Sequence, residues 1–593
     1  MFFFWLFAKV LAAICLLGLA GGFVAIHFSD RRRFVLLLAP ACGLLTLPIL
    51  VTLIYSTDRF SFLLSAVIAL LLCSATTIFN LIKWRPSRED AYTSIALVIL
   101  VAAAATCLFC ASTISAGSPT ILYIDGSDHG GYAHAADWLL SHTFSQQPIV
   151  SPEHPYQSWP AFVFTNDFRY SAFVALALTA LLNQTSGLFA YDLACAIAFS
   201  VACLSISAAF ARSKISIVGL SLCLLTTAWF ELGRDGYFGK LLAFPSCLFL
   251  LGLFMTSSHK MTPQKVALLV ALTVGVATLH SGVATGLLFA AIAGLFICVD
   301  VFFTIGVRQF SPIERFIWLA TITLVAFSSG GMFSRPVTVP GTPPGFFISW
   351  AALLPRLFEI QNPTRNYLTI SEAWLYVGSA AAFLLHASLV AAAVLRRNAI
   401  AVALTAGPLL IFVAMILLDT AGSVSARFAA YQFTSILASF GFCGVARLVD
   451  DADADRVGVR SLSFIAATCA VLIIVRVPRT IGSLNTYVLN PPATQIFKKV
   501  DFDAIAAAAG KNPLLADLHD DLNVIAVLVE LGRRGTNLQW SPTAWGMAVN
   551  FRKWTKPNYA MTPVLVLDDK RGAVDPAQVV YETAQFRLLK PRL

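Results

Sequence analysis

Apolar runs of about twenty residues recur along most of this 593-residue chain, separated by short polar stretches. A helix needs about 20 consecutive apolar residues to cross the ~30 Å hydrocarbon core of a bilayer. The pattern therefore predicts about fourteen transmembrane helices. Their approximate bounds are 5–28, 34–55, 61–82, 92–112, 188–210, 214–231, 241–257, 265–282, 284–305, 315–333, 374–395, 399–418, 426–448 and 461–477.

The composition agrees with a membrane protein rather than a soluble one. Hydrophobic residues make up 58% of the chain, charged residues only 12%, and the mean hydropathy is +0.78. A soluble fold of this length would need more polar residues to cover its surface. The predicted fold class is mainly α, a polytopic bundle of membrane helices.

Basic residues are concentrated in alternate loops between the predicted spans, and Lys and Arg beside a span mark its cytoplasmic side. The basic set comprises Arg31–Arg33, Lys83, Arg85, Arg88, Arg212, Lys214, Lys260, Lys265, Arg308, Arg315, Arg396, Arg397, Arg447, Arg456 and Arg460. The remaining loops and both termini are then expected on the outer side. The net charge of +10 follows from this bias, so it gives no reason to expect a nucleic-acid partner.

The order of apolar and polar segments predicts three regions. Residues 1–91 hold the first three transmembrane helices, and 92–477 form a transmembrane core. The core includes a large external loop at 113–187 and a Pro-rich flap at 334–373. The tail at 478–593 has the composition of a small external α/β domain. Its predicted elements are helices at 503–509 and 522–533 and buried strands at 513–517 and 563–568.

The large external loop begins with an acidic and aromatic stretch directly after a predicted span. Its candidate side chains are Asp125, Asp128, His129, Tyr132, His134 and Asp137. Ionisable groups at the edge of a bilayer are costly, so a functional role is the first hypothesis for them. The alternative is structural, because Asp128 could cap a helix that the periodicity predicts over 129–142. His129 and His134 are five residues apart rather than four, which disfavours a metal ion shared on one helical face.

Further polar side chains occur in the other predicted external segments. An apolar run at 171–182 is expected to lie as a helix in the membrane interface. A second polar site spans 231–240, and the flap and the outer ends of later spans add basic residues. The candidate substrate-binding residues from these segments are Arg169, Arg234, Asp235, Tyr237, Lys240, His280, Arg335 and Arg427.

These residue types match the needs of sugar transfer from a lipid phosphate. A carboxylate must accept the proton of the acceptor hydroxyl. Cations must stabilise the leaving phosphate, and a groove facing the bilayer must admit the lipid chain. Asp125 or Asp128, together with Arg234, Lys240 and Arg427, would supply the charged groups.

The stretch Asp128-His-Gly-Gly-Tyr132-Ala-His-Ala-Ala-Asp-Trp138, with Pro155-Tyr156 and Trp159-Pro160 after it, resembles the GT-C superfamily of membrane glycosyltransferases. The peptide Arg234-Asp-Gly-Tyr237, after a further span, is similar to the second external acidic motif of oligosaccharyltransferase-like members. The resemblance covers residues 92–450 approximately, and three additional spans precede it. The Trp-Trp-Asp motif of oligosaccharyltransferases is absent, which argues against protein N-glycosylation.

This resemblance implies a GT-C-like core in which Asp128 is the general base, with Asp125 as its alternate. Asp235 would be a second acid that positions substrate or a divalent ion, and Arg427 would bind the donor phosphate. No cofactor is required by the sequence. A divalent metal, Mg²⁺ or Mn²⁺, held by Asp128 and Asp235 is the alternative to metal-free chemistry.

The expected function is that of an inverting hexosyl- or pentosyltransferase. It would transfer a sugar from a polyprenyl-phosphate donor to an envelope glycan or glycolipid, in contact with membrane lipid, on the outer side of a bacterial inner membrane. Both termini and the C-terminal domain would be periplasmic or extracellular. The alternative is a flippase or transporter of a lipid-linked substrate, a class in which matching halves and broken helices are common.

Overall fold

Helices dominate the computed structural model of the chain, so the mainly α prediction is confirmed at this level. The structure describes residues 1–28, 34–83, 88–122, 128–148, 170–257, 262–280, 282–304, 315–317, 319–321, 323, 355–361, 371–420, 439–451, 458–491, 496–518, 521–540, 565–570, 572–583 and 585–590. The helices are α1 Phe2–Phe28, α2 Val35–Tyr55, α3 Phe62–Lys83, α4 Arg88–Phe109, α5 Ala111–Ala116, α6 Asp128–Ser141, α7 Tyr170–Asn183, α8 Gly187–Phe210, α9 Lys214–Leu225, α10 Trp229–Arg234, α11 Phe238–Ser257, α12 Pro263–Ala277, α13 Gly282–Phe303, α14 Glu372–Leu395, α15 Ala399–Thr420, α16 Gly458–Leu484, α17 Lys499–Ala509 and α18 Asp521–Arg533.

Eight of the described helices are long and apolar enough to cross a membrane, judged by length and composition. They are α1, α2, α3, α4, α8, α11, α14 and α15. Shorter apolar helices are α7, α9, α12 and the later part of α13. This set agrees with a polytopic membrane protein, while the number of about fourteen spans stays a prediction.

The first two helices pack closely because glycines lie at their contact. A Cβ at Gly21 would overlap the carbonyl oxygen of Ala39, and a Cβ at Gly43 would overlap that of Leu17. Membrane helices associate largely through such close packing, since lipid is as apolar as the side chains themselves. The pair α1–α2 in turn packs against α8, which is buried along nearly its whole length.

One end of the bundle gathers loops that the sequence predicts to be cytoplasmic, and we call it the basic-loop end. There, Asp450 accepts hydrogen bonds from the backbone N–H groups of Arg212 (2.6 Å) and Ser213 (3.0 Å). Lys214 at the start of α9 pairs with Glu89 at the start of α4, 2.6 Å away. The grouping agrees with the alternation inferred from charge, while the side of the membrane that it faces stays a prediction.

The opposite end gathers segments predicted to be external, and we call it the acidic-loop end. Tyr55 at the end of α2 donates a hydrogen bond to the carbonyl of His142, 2.6 Å away and just beyond α6. Lys9 near the start of α1 donates to the side chain of Asn183, the last residue of α7, at 2.9 Å. These contacts place the helix ends that flank α6 on one side of the bundle.

The apolar run predicted over 171–182 is the helix α7. It has 14 residues, which gives a length of about 21 Å, too short to cross the hydrocarbon core. Most of its side chains are buried, and it packs between α2, α6 and α8. It is therefore a helix of the acidic-loop end that packs against protein, and its expected position in the membrane interface stays a prediction.

The predicted span at 214–231 is not one helix, because residues 226–228 separate α9 from α10. The hydroxyls of Thr226 and Thr227 donate to backbone carbonyls three residues earlier, both at 2.7 Å. Such local bonds compete with continuation of a helix. The chain therefore enters the acidic-loop end through a break rather than through a continuous span.

The described residues between 496 and 590, which we call the C-terminal part, contain a five-stranded mixed sheet with the strand order β4-β3-β5-β7-β6. The strands are β3 Leu514–Asp517, β4 Leu538–Trp540, β5 Leu565–Asp568, β6 Val579–Glu582 and β7 Arg587–Leu589, after β1 Thr120–Leu122 and β2 Ile496–Lys498. β3 is parallel to β4 and β5, whereas β7 is antiparallel to β5 and β6. The helices and strands predicted for this part are thus present close to their expected positions, as α17, α18, β3 and β5.

Two contacts join the C-terminal part to the acidic-loop end. β1, directly before the acidic loop, pairs antiparallel with β2, with Ile121 opposite Phe497. The buried Glu530 of α18 accepts a hydrogen bond from Ser186, the N-cap residue of α8. The C-terminal part therefore contacts the chain at two places, at β1 and at the start of α8.

Candidate functional site

α6 begins at Asp128, so the helix predicted over 129–142 is confirmed. Its candidate side chains His129, Tyr132, His134 and Asp137 are all buried. His129 and Tyr132 are three residues apart and therefore lie on one face of the helix.

That face of α6 contacts the turn that leads into α11. The backbone N–H of Gly239 donates a hydrogen bond to Tyr132 Oη at 2.9 Å, between residues 107 positions apart. A Cβ at Gly236 would lie 2.6 Å from His129 Nδ1, and Gly236 has φ +90°, which other residues rarely adopt. A Cβ at Gly239 would overlap Tyr132 Oη. Glycine at both positions therefore allows the two predicted external motifs to touch.

Aromatic rings surround this contact. The ring of His129 lies 4.4 Å from that of Tyr191 on α8, centroid to centroid. Phe238 packs against both Tyr132 and Tyr191, with centroid distances of 5.6 Å. The Tyr191 hydroxyl donates to the carbonyl of Gly233 at 3.1 Å. The side chains of His129 and Tyr132 therefore lie against a wall of aromatic rings formed by Tyr191 and Phe238.

Two of the predicted basic residues lie beside this wall. The Lys240 ammonium is 4.0 Å from the centroid of the Tyr237 ring, a cation–π contact. His280 is buried, packs against Phe244 at 5.7 Å, and would lie 3.2 Å from a Cβ at Gly239. The structure thus brings together candidates from three separate predicted external segments.

Arg234 has a different environment from the one expected of a substrate-binding cation. Its Nη1 is 3.1 Å from Asp192 Oδ1 on α8, and Nη2 donates to the carbonyls of Leu108 (3.2 Å) and Phe109 at the end of α4. The guanidinium is almost completely buried. These contacts tie α10 to α4 and α8, so the charge of Arg234 is engaged within the protein.

Asp235 is the C-cap residue of α10 and immediately precedes Gly236. Its Oδ1 accepts a hydrogen bond of 2.5 Å from the hydroxyl of Tyr487, which follows α16. One turn earlier, Glu231 accepts a hydrogen bond from Ser483 on α16. Both acidic residues of this motif are buried, and their partners lie in α16 and in the turn that follows it.

A buried charge network continues from Glu231. Arg479 Nε lies 3.3 Å from Glu231 Oε1, and Arg479 Nη1 lies 3.2 Å from Glu359 Oε2. Arg476 Nη1 is 3.7 Å from the same oxygen of Glu359. Arg479 Nη2 also donates to the carbonyl of Thr226 at 2.7 Å, at the break between α9 and α10. The break is therefore stabilised by a cation that bridges two carboxylates.

The other two candidates on α6 lie away from the glycine contact. His134 is fully buried. Asp137 Oδ1 accepts a hydrogen bond of 2.8 Å from the N–H of Gly187 at the start of α8. Burial, together with the charge of Glu530, raises the pKa of Asp137 to about 7. Asp137 therefore belongs to the contact between α6, α8 and the C-terminal part.

Asp125, Arg169, Arg335 and Arg427 lie outside the described residues. Asp128 is described as the first residue of α6, but nothing is established about its side chain. Within the described part of the chain, no three His, Cys, Asp or Glu side chains are grouped so as to hold a metal ion. The possibility of metal ligation by Asp128 and Asp235 therefore gains no support from the described side chains.

Sequence reasoning missed the residues that support the second motif. The position of Asp192 within an apolar run did not identify it as the partner of Arg234, with which its side chain pairs. Tyr487 and Arg479, in and after the last apolar segment, were not identified at all. A signal was present, since Arg479 follows an apolar run and a charge in such a position needs a partner.

Comparison with known proteins does not assign the chain to a family. No protein-family model matches the sequence, and a search of curated proteins finds no significant match. The function must therefore be inferred from the chain's own residues and contacts.

Proposed function

We propose that the protein is a membrane glycosyltransferase that uses a polyprenyl-phosphate-linked sugar. The observation that carries this proposal is the contact between the two external motifs, through Tyr132 with Gly239 and His129 with Gly236. A transferase needs a base and a phosphate-binding group within reach of one substrate. The contact between motifs that follow different predicted spans supports this proposal, because it brings residues of both motifs to one end of the bundle.

In the proposed reaction, the oxygen of an acceptor hydroxyl bonds to the anomeric carbon of the donor sugar. The bond from that carbon to the phosphate oxygen breaks, and its electrons leave with polyprenyl phosphate. The hydroxyl proton passes to Asp128, or to Asp125 as the alternate base. Lys240 stabilises the charge of the leaving phosphate, and Asp235 positions the sugar. Attack from the face opposite the phosphate inverts the anomeric centre.

The wider proposal concerns the location and partners of this reaction. The acidic-loop end faces the outside of a bacterial inner membrane, and the C-terminal sheet with α17 and α18 is an external α/β domain. The pairing of β1 with β2 supports this arrangement, because it joins the C-terminal part to the start of the acidic loop. The acceptor is an envelope glycan or glycolipid.

The experiment that tests the function is sugar transfer by the purified full-length protein. Radiolabelled polyprenyl-phosphate hexoses and pentoses are offered as donors, with extracted envelope glycan as acceptor. We expect transfer by the wild type and a loss of at least about 100-fold for Asp128→Asn, since general-base catalysis is worth 10²–10⁴-fold. Equal transfer by both proteins would exclude Asp128 as the base.

A matched pair of glycine substitutions tests the contact itself. Gly239→Ala places a methyl group on Tyr132 Oη, whereas a Cβ at Gly219 on α9 meets nothing within 4 Å. We expect Gly239→Ala to lose transfer and Gly219→Ala to retain it. If both variants transfer like the wild type, the contact between the motifs does not matter for the reaction.

The second candidate is a transporter of a lipid-linked substrate, and one observation favours it. Broken helices with buried charges are typical of transporter binding sites, and Arg479 lies at the break between α9 and α10. Translocation of a fluorescent polyprenyl-phosphate sugar across proteoliposomes, without any transfer reaction, would establish this alternative. Transfer without translocation would exclude it.

A further inference from the structure

The last described helix before the C-terminal part presents three polar side chains at intervals of four residues. They are Arg479 and Ser483 in α16 and Tyr487 in the turn that follows it. All three are buried, and Tyr487 has no exposed surface. Residues four apart on a helix lie on one face, so these side chains form a row. We call this row the α16 row.

Each residue of the α16 row contacts an acidic residue of the predicted external segment 231–240. Arg479 and Ser483 both contact Glu231, and Tyr487 contacts Asp235, which is also four residues further on. Two rows with the same spacing therefore run side by side. The α16 row ends at Tyr487, which contacts the Asp235 carboxylate. Asp235 directly precedes Gly236, the glycine that lies beside His129.

The backbone of the α16 row departs from α-helical geometry at its end. Residues 485–489 form a π-helical turn, with the N–H of Asn490 bonded to the carbonyl of Asn485 at 2.8 Å. In an α-helix, four residues exceed one turn, so a row at this spacing drifts around the axis. A π-helical turn is wider and opposes that drift, and such turns are frequent at functional sites. The π-helical turn thus contributes to directing the Tyr487 hydroxyl at Asp235.

The hydroxyl and the ring of Tyr487 have separate contacts. The ring packs edge-on against Phe230 at 5.5 Å, and the hydroxyl donates to Asp235 Oδ1 at 2.5 Å. Phenylalanine would keep the ring contact with Phe230 and would lose the hydrogen bond to the Asp235 carboxylate. A carboxylate without a hydrogen-bond donor can rotate about its C–C bond. A hydrogen bond from the phenol hydroxyl fixes its orientation.

We propose that Tyr487 is a positioning residue for sugar transfer, and that it acts by holding the Asp235 carboxylate beside the glycine turn. This inference rests on the proposed glycosyltransferase function. It places a residue that directly follows α16 in support of a motif more than two hundred residues earlier, since the hydrogen bond joins positions 252 apart. The turn after α16 thereby takes part in assembling the site.

The test compares two tyrosine variants of the full-length protein. Tyr487→Phe removes the hydroxyl and keeps the ring. Tyr55→Phe is the matched control, because its buried hydroxyl donates to the carbonyl of His142 at 2.6 Å, away from Asp235. Transfer from the polyprenyl-phosphate donors is measured as kcat and KM. A hydrogen bond to a charged group corresponds to about 10- to 100-fold in rate, so kcat of Tyr487→Phe should fall by this factor.

A second measurement separates positioning from general damage. Urea unfolding of the wild type, Tyr487→Phe, Asp235→Asn and the double variant forms a double-mutant cycle. If the hydroxyl acts on Asp235, the two substitutions are not additive in unfolding, and KM of Tyr487→Phe stays within about two-fold of the wild type.

Each outcome decides the matter. A lower kcat with an unchanged KM and a non-additive cycle supports the inference. If the wild type transfers sugar and Tyr487→Phe behaves like Tyr55→Phe, the inference is overturned and the proposed function stands. An additive cycle also overturns it, because the hydroxyl then does not act through Asp235. If the wild type transfers nothing from any donor, the proposed function fails, and the role of Tyr487 in transfer fails with it.

Discussion

Asp137 gives the sharpest prediction about stability, because its carboxyl is buried where α6, α8 and α18 meet. One oxygen accepts the N–H of Gly187, and Glu530 of α18 adds a second carboxylate nearby. Substituting Asp137→Asn keeps an acceptor for Gly187 and removes the ionisable group. We therefore expect Asp137→Asn to be more stable than the wild type at alkaline pH.

The size and sign of this effect follow from the pKa. Burial and Glu530 raise the pKa of Asp137 from 3.8 to about 7. Between these values the folded state holds a proton that the unfolded state has lost, so stability falls as pH rises from about 4 to about 7. Three pKa units correspond to about 4 kcal/mol, which is the largest gain expected for Asp137→Asn at pH 8. Near pH 4 the gain should vanish.

The assay is urea unfolding of both proteins in detergent micelles from pH 4.5 to pH 8.5. Glu372→Gln is the control, because Glu372 is an exposed carboxyl in the first turn of α14. Its unfolding free energy should follow that of the wild type across this range. The reasoning is refuted if wild type and Asp137→Asn show the same pH dependence, or if Asp137→Asn is the less stable protein at pH 8.

The remaining predictions concern packing and buried charge. Gly43→Ala would place a methyl group on the carbonyl oxygen of Leu17, so we expect a loss of about 1–3 kcal/mol in urea unfolding, as for other overpacked sites. Gly219→Ala, with open space around its Cβ, is the control, and an equal effect of the two would contradict the close packing of α1 and α2. Arg479→Gln would leave two buried glutamates without their shared cation, at a cost of about 3–5 kcal/mol. Arg479→Lys should not restore stability in thermal unfolding, because one ammonium does not reach three acceptors; full restoration would argue against the bridging geometry.

The sequence by itself determined the local features of this protein. The length of the apolar runs predicts the helices, because a segment in lipid must satisfy its backbone hydrogen bonds internally, as a helix does. The contacts of Arg212 with Asp450 and of Tyr55 with His142 agree with the two groups of loops that the placement of Lys and Arg predicts. A short buried strand at 513–517 is also predicted, since its pattern of apolar residues is local, and β3 covers Leu514–Asp517.

Only the tertiary structure decided how the polar residues are partnered. Arg234 matched a substrate-binding pattern, yet Asp192 and the end of α4 engage its charge. The break before α10 interrupts a run that reads as a continuous apolar span. It depends on two local threonine hydroxyls and on Arg479 from a helix 253 positions later. Periodicity records which face of a segment is apolar, whereas the partner of a buried charge depends on which segments pack together.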